Sequence, residues 1–137
     1  AFKRVGVDDF SMGGNTGPTR DGHRLATYAE TESLEKQDAF MTEMFKAYFC
    51  EEKAPCDKEV LQLAADNAGL DRTKTREILQ VPTLWLGETT ESLERYGRGV
   101  SGVPYFIVSD GKKKVSVSGA QPPEAFLEIF EDFGIDE

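Results

Sequence analysis

A proline stands at the mouth of an apolar, β-branched run in Gly99-Val100-Ser101-Gly102-Val103-Pro104-Tyr105-Phe106-Ile107-Val108. Proline has no N–H to give to a strand ladder, so such a run is a strand that starts at Pro104 or lies on a sheet edge. X-Pro is the one bond type whose cis form is cheap, and a glycine-flanked Val103-Pro104 entering a strand is a reasonable place for it. A strand entered this way turns the backbone of Val103 toward whatever approaches.

Around that block the patterning is regular. Residues 104–108 and 114–118 read as an antiparallel pair joined through Asp110-Gly111, with Lys112, Lys113 and Lys114 as the solvated dressing of the hairpin tip. Pro122-Pro123 then launch a last helix through Ala125, Phe126, Ile129, Phe130 and Phe133. Upstream, residues 2–12 alternate loosely and predict a strand with a slip near Asp8-Asp9. The glycine-rich loop 13–18 follows, and Thr19 is placed to cap a helix carrying His23, Leu25, Ala26 and Tyr28. Residues 34–50 put Phe40, Met44, Ala47 and Tyr48 on one helical stripe, which Met41, Phe45 and Phe49 widen into a face expected to be largely buried. Asp57 caps a helix that Gly69 stops, and Asp71 caps Arg72 to Gln80 before Pro82 interrupts. The stretch around Trp85, Leu86 and Leu93 is ambiguous, with its last part helical.

Composition narrows the function classes. At 137 residues a single domain is expected, residues 1–137, burying roughly two thirds of its unfolded surface. No apolar run spans a bilayer and no secretion signal precedes the first strand, which leans toward a cytoplasmic protein with no membrane partner. The first residue is Ala1, as in a processed chain or an excised fragment. With 25 acidic and 16 basic residues the formal charge is −9, which argues against a nucleic acid partner.

Few residues offer chemistry. Cys50 and Cys56 bracket Glu51-Glu52-Lys53-Ala54-Pro55; the spacing is not that of a redox Cys-x-x-Cys, and two cysteines alone are too few for a zinc site. They read as free thiols or as a structural or regulatory disulfide, since Pro55 breaks the helix between them. His23, the only histidine, reads as a side chain hydrogen-bonded within the fold, without an identifiable partner for acid–base work. Trp85 and the aromatic helices read as core. No catalytic residue, metal ligand or cofactor is assigned.

The block around Pro104, together with Val117-Ser118-Gly119-Ala120-Gln121-Pro122-Pro123-Glu124-Ala125-Phe126, resembles the cis-proline strand, last strand and last helix of DsbA-like thioredoxin-superfamily oxidoreductases, in particular the FrnE-type proteins and the related 2-hydroxychromene-2-carboxylate isomerases. Thr19, Asp21, His23, Arg24 and Leu25 are similar to that family's Asn-Thr-x-x-x-His-Arg-Leu helix opening, with Pro18 where the asparagine stands. Phe45-Lys46-Ala47-Tyr48-Phe49 and Asp57-Lys58-Glu59-Val60-Leu61 fit its helical block.

The resemblance implies an incomplete α/β thioredoxin-like fold, ordered strand, helical block, β-hairpin, C-terminal helix, with core parts 1–18 and 99–137 and a helical insertion over 19–98. It also implies that Gly102, Val103 and Pro104 face a protein or peptide thiol or disulfide substrate. The family's Cys-x-x-Cys helix and its opening strand have no counterpart here, which implies a gap in the sheet closed by an upstream segment or by strands exchanged in a homodimer. Three functions follow as expectations. The chain is part of a thiol-disulfide oxidoreductase, a non-catalytic peptide-binding or assembly module, or a fragment of a glutathione-dependent isomerase or kappa-class transferase relative.

Overall fold

The computed structural model describes residues 6–135. By its internal contacts the chain divides into two units, Ala1–Glu94 and Arg95–Glu137.

The first unit is helical. It contains α1 (Arg20–Glu32), α2 (Leu34–Phe49), α3 (Lys58–Asn67), α4 (Arg72–Gln80) and most of α5 (Leu86–Gly97), which runs across the division. Short polar side chains start three of these helices: Ser33 Oγ accepts from the Lys36 N–H, Asp57 from Glu59, and Asp71 from both Thr73 and Lys74. Thr19 differs from expectation. It occupies the N-cap position of α1, but its side chain makes no capping bond, and its φ of −97° and ψ of 2° lie outside the extended conformation that aims a capping hydroxyl at the helix. The apolar stripes of the helices meet in one buried cluster that includes Leu25, Tyr28, Phe40, Leu61, Ala65 and Ile78, with Trp85 packed against it.

Two further expectations fail in this unit. Residues 6–12 form no strand; they run as an irregular segment in which Ser11 donates to the Phe49 carbonyl at 2.7 Å and Phe10 stacks on Phe49 at 5.3 Å. Loose alternation was satisfied there by packing onto the end of α2, and residues 1–5 of the expected strand lie outside the described residues. The widened face of α2 is not largely buried either. Phe40, Met44 and Ala47 are buried, but Phe45 is 55% exposed and Met41, Tyr48 and Phe49 are half-buried. More apolar surface was arranged around α2 than its neighbours cover.

Arg24 ties the α4–α5 connection to α1. It is 1% exposed, donating from Nε to the Leu84 carbonyl at 2.7 Å, from Nη2 to the carbonyls of Val81 and Ile78, and from Nη1 to Asp21 at 2.7 Å. A guanidinium's fork of donors is suited to gathering the carbonyls that a helix end leaves unpaired.

The second unit is a hairpin and a helix. β1 (Tyr105–Ser109) pairs antiparallel with β2 (Lys114–Ser118), Ile107 standing opposite Ser116, and α6 (Pro123–Asp132) follows with proline in its first turn. The Asp110 carboxylate closes the connection, accepting from the N–H groups of Lys112 and Lys113 at 2.8 and 2.6 Å. Those two contacts, Lys113 foremost, hold its carboxyl below the usual carboxylate range. Phe106 meets Phe126 of α6 edge to face at 4.9 Å, so Phe106, Val108, Val115 and Val117 share the face that α6 covers.

Candidate functional site

Gly102, Val103 and Pro104 form the entrance to β1, all three exposed, with Val103 at 86%. The Val103–Pro104 peptide bond is cis, and the Pro104 carbonyl accepts from Gly119 at 2.8 Å, extending the β1–β2 ladder by one bond. That bond anchors the strand side of the proline while Gly102 and Val103 project ahead of it. Among the described residues β1 pairs only with β2, so its other edge keeps its N–H and C=O groups open. An exposed backbone segment followed by an open strand edge is what an extended peptide recognises through main-chain hydrogen bonds.

The first unit carries a separate feature. A groove of about 310 Å³ runs along α2 between Phe40, Met44, Phe45 and Tyr48, with Thr16, Thr19, His23 and Pro55 among its other walls. Its floor is the very stripe that sequence reasoning assigned to the core. The signal was present, because nine apolar positions on one sixteen-residue helix exceed what a single packing stripe requires. His23 is exposed beside this groove, and among the described residues its imidazole has no hydrogen-bond or ion-pair partner, in contrast to the bonded side chain expected.

The glycine-rich loop serves close approach. A Cβ on Gly14 would lie 2.9 Å from the Glu52 backbone, and one on Gly17 would lie 2.3 Å from Cys56 Sγ. Glu52 accepts from the Ser11 hydroxyl and its carbonyl from the Asn15 N–H at 3.4 Å, so residues 11–17 lie clasped over the loop between the two cysteines. Both thiols are free, Cys50 exposed and Cys56 half-buried. Among the described residues no group of three or more His, Cys, Asp or Glu side chains is placed to hold a metal ion, and no helix is long and apolar enough to cross a membrane.

The profile of the DSBA-like thioredoxin domain family matches residues 9–131. Among solved structures, the chain is similar to the crystal structure of a protein described as a "probable DsbA oxidoreductase" from Streptomyces coelicolor, with a TM-score of 0.70 and 30% sequence identity. The match covers 88% of this chain and 51% of that one, so the chain spans about half the length of the protein it matches. No curated protein matches it. Among the described residues, a mostly helical arrangement with one two-stranded antiparallel sheet fits an incomplete thioredoxin-like α/β fold.

Proposed function

The chain belongs to the DSBA-like thioredoxin domain family, and we propose that it is part of a thiol-disulfide oxidoreductase, contributing the peptide-facing side of the site while a Cys-x-x-Cys nucleophile comes from a segment outside this sequence. The carrying observation is the exposure of Gly102, Val103 and Pro104 at the head of an open-edged strand, inside the block on which the family likeness rests. In this reading the backbone of Val103 pairs with an extended protein or peptide substrate and holds one of its sulfurs against the incoming thiolate. The chain's own residues position; they do not attack. Cys50 and Cys56 have five residues between them, which is not the spacing of a redox Cys-x-x-Cys, so this reading assigns them no part in that step.

The edge of β1 that does not face β2 offers N–H and C=O groups on which a further strand can pair. An upstream strand, or a strand exchanged with a second copy, supplies it in this reading. A second reading, a peptide-binding module without chemistry, rests on the same exposed Val103 backbone and open β1 edge, which can hold an extended peptide without a nucleophile. A glutathione-dependent isomerase remains the third, with a serine in the outside segment.

An insulin-reduction assay separates them. The oxidoreductase reading expects turbidity only when the chain is extended upstream by a strand and a Cys-x-x-Cys helix, and expects Val103→Asp to lower that activity. An extended chain that binds thiol peptides but reduces no insulin supports the binding module instead. Reduction of insulin by the present chain alone would overturn both.

A further inference from the structure

We propose that Cys50 and Cys56 close to a reversible intramolecular disulfide that resets the rim of the α2 groove. The backbone brings the two thiols onto one short, doubly reversed loop. Cys50 ends α2 with its N–H still on the Lys46 carbonyl at 2.9 Å; Glu51 reaches the same carbonyl at 3.1 Å. Glu52 then reverses the chain at a φ of +56°, and the Lys53 N–H returns to the Ala47 carbonyl at 2.9 Å. A second reversal follows where Asp57 donates to Ala54 at 3.1 Å, and Cys56 lies within that turn. Closing so short a loop removes little further chain entropy.

The surroundings give the closure a consequence. Cys56 Sγ is seated directly beneath the Gly17 backbone, and its neighbour Pro55, together with Thr16 and Thr19, lines the groove. Drawing that sulfur toward Cys50 vacates its seat and moves the segments that border the groove. The exposed Cys50 is the point of entry for a low-molecular-weight disulfide. Its thiolate attacks one sulfur of glutathione disulfide, forming a mixed disulfide and releasing one glutathione thiolate. The Cys56 thiolate then attacks the Cys50 sulfur, the bond to glutathione breaks, and the second glutathione leaves. Two protein thiols are oxidised, one glutathione disulfide is reduced to two glutathiones, and the protons of the cysteines pass to them.

The full chain is equilibrated in buffers of graded glutathione to glutathione disulfide ratio, acid-quenched and analysed by mass spectrometry and amide hydrogen exchange. Expected are a species lighter by two hydrogens that binds no glutathione, loss of both titratable thiols, their recovery in excess reduced glutathione, and faster exchange across residues 11–17 in the closed form. Cys50→Ser and Cys56→Ser variants should each carry one glutathione and never the lighter species. Two glutathiones per chain, disulfide-linked dimers, or two thiols that stay titratable in every buffer would overturn the proposal. So would closure that leaves exchange at residues 11–17 unchanged.

Discussion

The helical unit encloses a core of large side chains completely, whereas the hairpin unit encloses none of its described ones. Leu25, Ala29, Phe40, Leu61 and Ala65 have no accessible surface, while every apolar residue of β1, β2 and α6 remains at least partly exposed. The two units are comparably apolar in pattern, so the difference lies in coverage. Five helices can surround a stripe on each neighbour, but one helix covers only one face of a two-stranded sheet and neither of its outer edges. Stability and availability have therefore been separated along the chain, with the packed part upstream and the open strand edge downstream.

The contrast breaks most directly with a pair of truncations. Phe40→Ala should cost about 3–5 kcal/mol, because a fully enclosed ring leaves a cavity. Phe126→Ala, removing a half-covered ring and one edge-to-face contact, should cost only about 1–2 kcal/mol. Urea unfolding followed by Trp85 fluorescence reads the first, since Trp85 is the sole tryptophan and packs on Tyr28. Amide exchange in β1 reads the second, and equal losses at the two positions would refute the difference in coverage. Arg24→Met comes next. It keeps the bulk of the side chain but strands the carbonyls of Ile78, Val81 and Leu84, so the same fluorescence transition should lose about 3 kcal/mol. Gly17→Ala should cost about 1–3 kcal/mol by forcing the loop off Cys56, read as a lowered urea midpoint. It should also raise the reactivity of Cys56 toward a thiol reagent, which a change in stability elsewhere would not.

What the sequence disclosed follows the same division. Asp57, Asp71 and the twin prolines 122 and 123 act locally, through a cap or a fixed φ, and the elements they start begin where those residues predict. The hairpin was legible for the same reason, as alternation around Asp110-Gly111 needs no distant partner. Residues 6–12 were misread because their neighbour, the end of α2, lies about forty positions away and turns a strand-like alternation into a packed irregular segment. Arg24 was seen only as one letter of a familiar motif; nothing local says that a cation will be enclosed by carbonyls more than fifty residues downstream. The groove was read as core since periodicity reports which face is apolar and not how much of it a neighbour covers.

The smallest effect discriminates the units by pH. In the helical unit the Glu32 carboxylate accepts from Lys36 at 2.8 Å and from the Tyr28 hydroxyl, with Lys74 3.8 Å away; Lys36 foremost, these lower its pKa from 4.5 to about 2. A carboxyl held down in the folded state contributes stability that is complete above pH 4.5 and is lost as pH falls from there toward 2. In the hairpin unit Asp110 is held down instead by backbone N–H groups at the turn. Acidification should therefore lower the Trp85-monitored melting temperature through Glu32, and Glu32→Gln should flatten that slope while leaving the pH-dependent shift of the Lys113 amide resonance in place. Asp110→Asn should do the reverse. If either substitution flattened both readouts, the two units would be answering to a shared charge network rather than to their own.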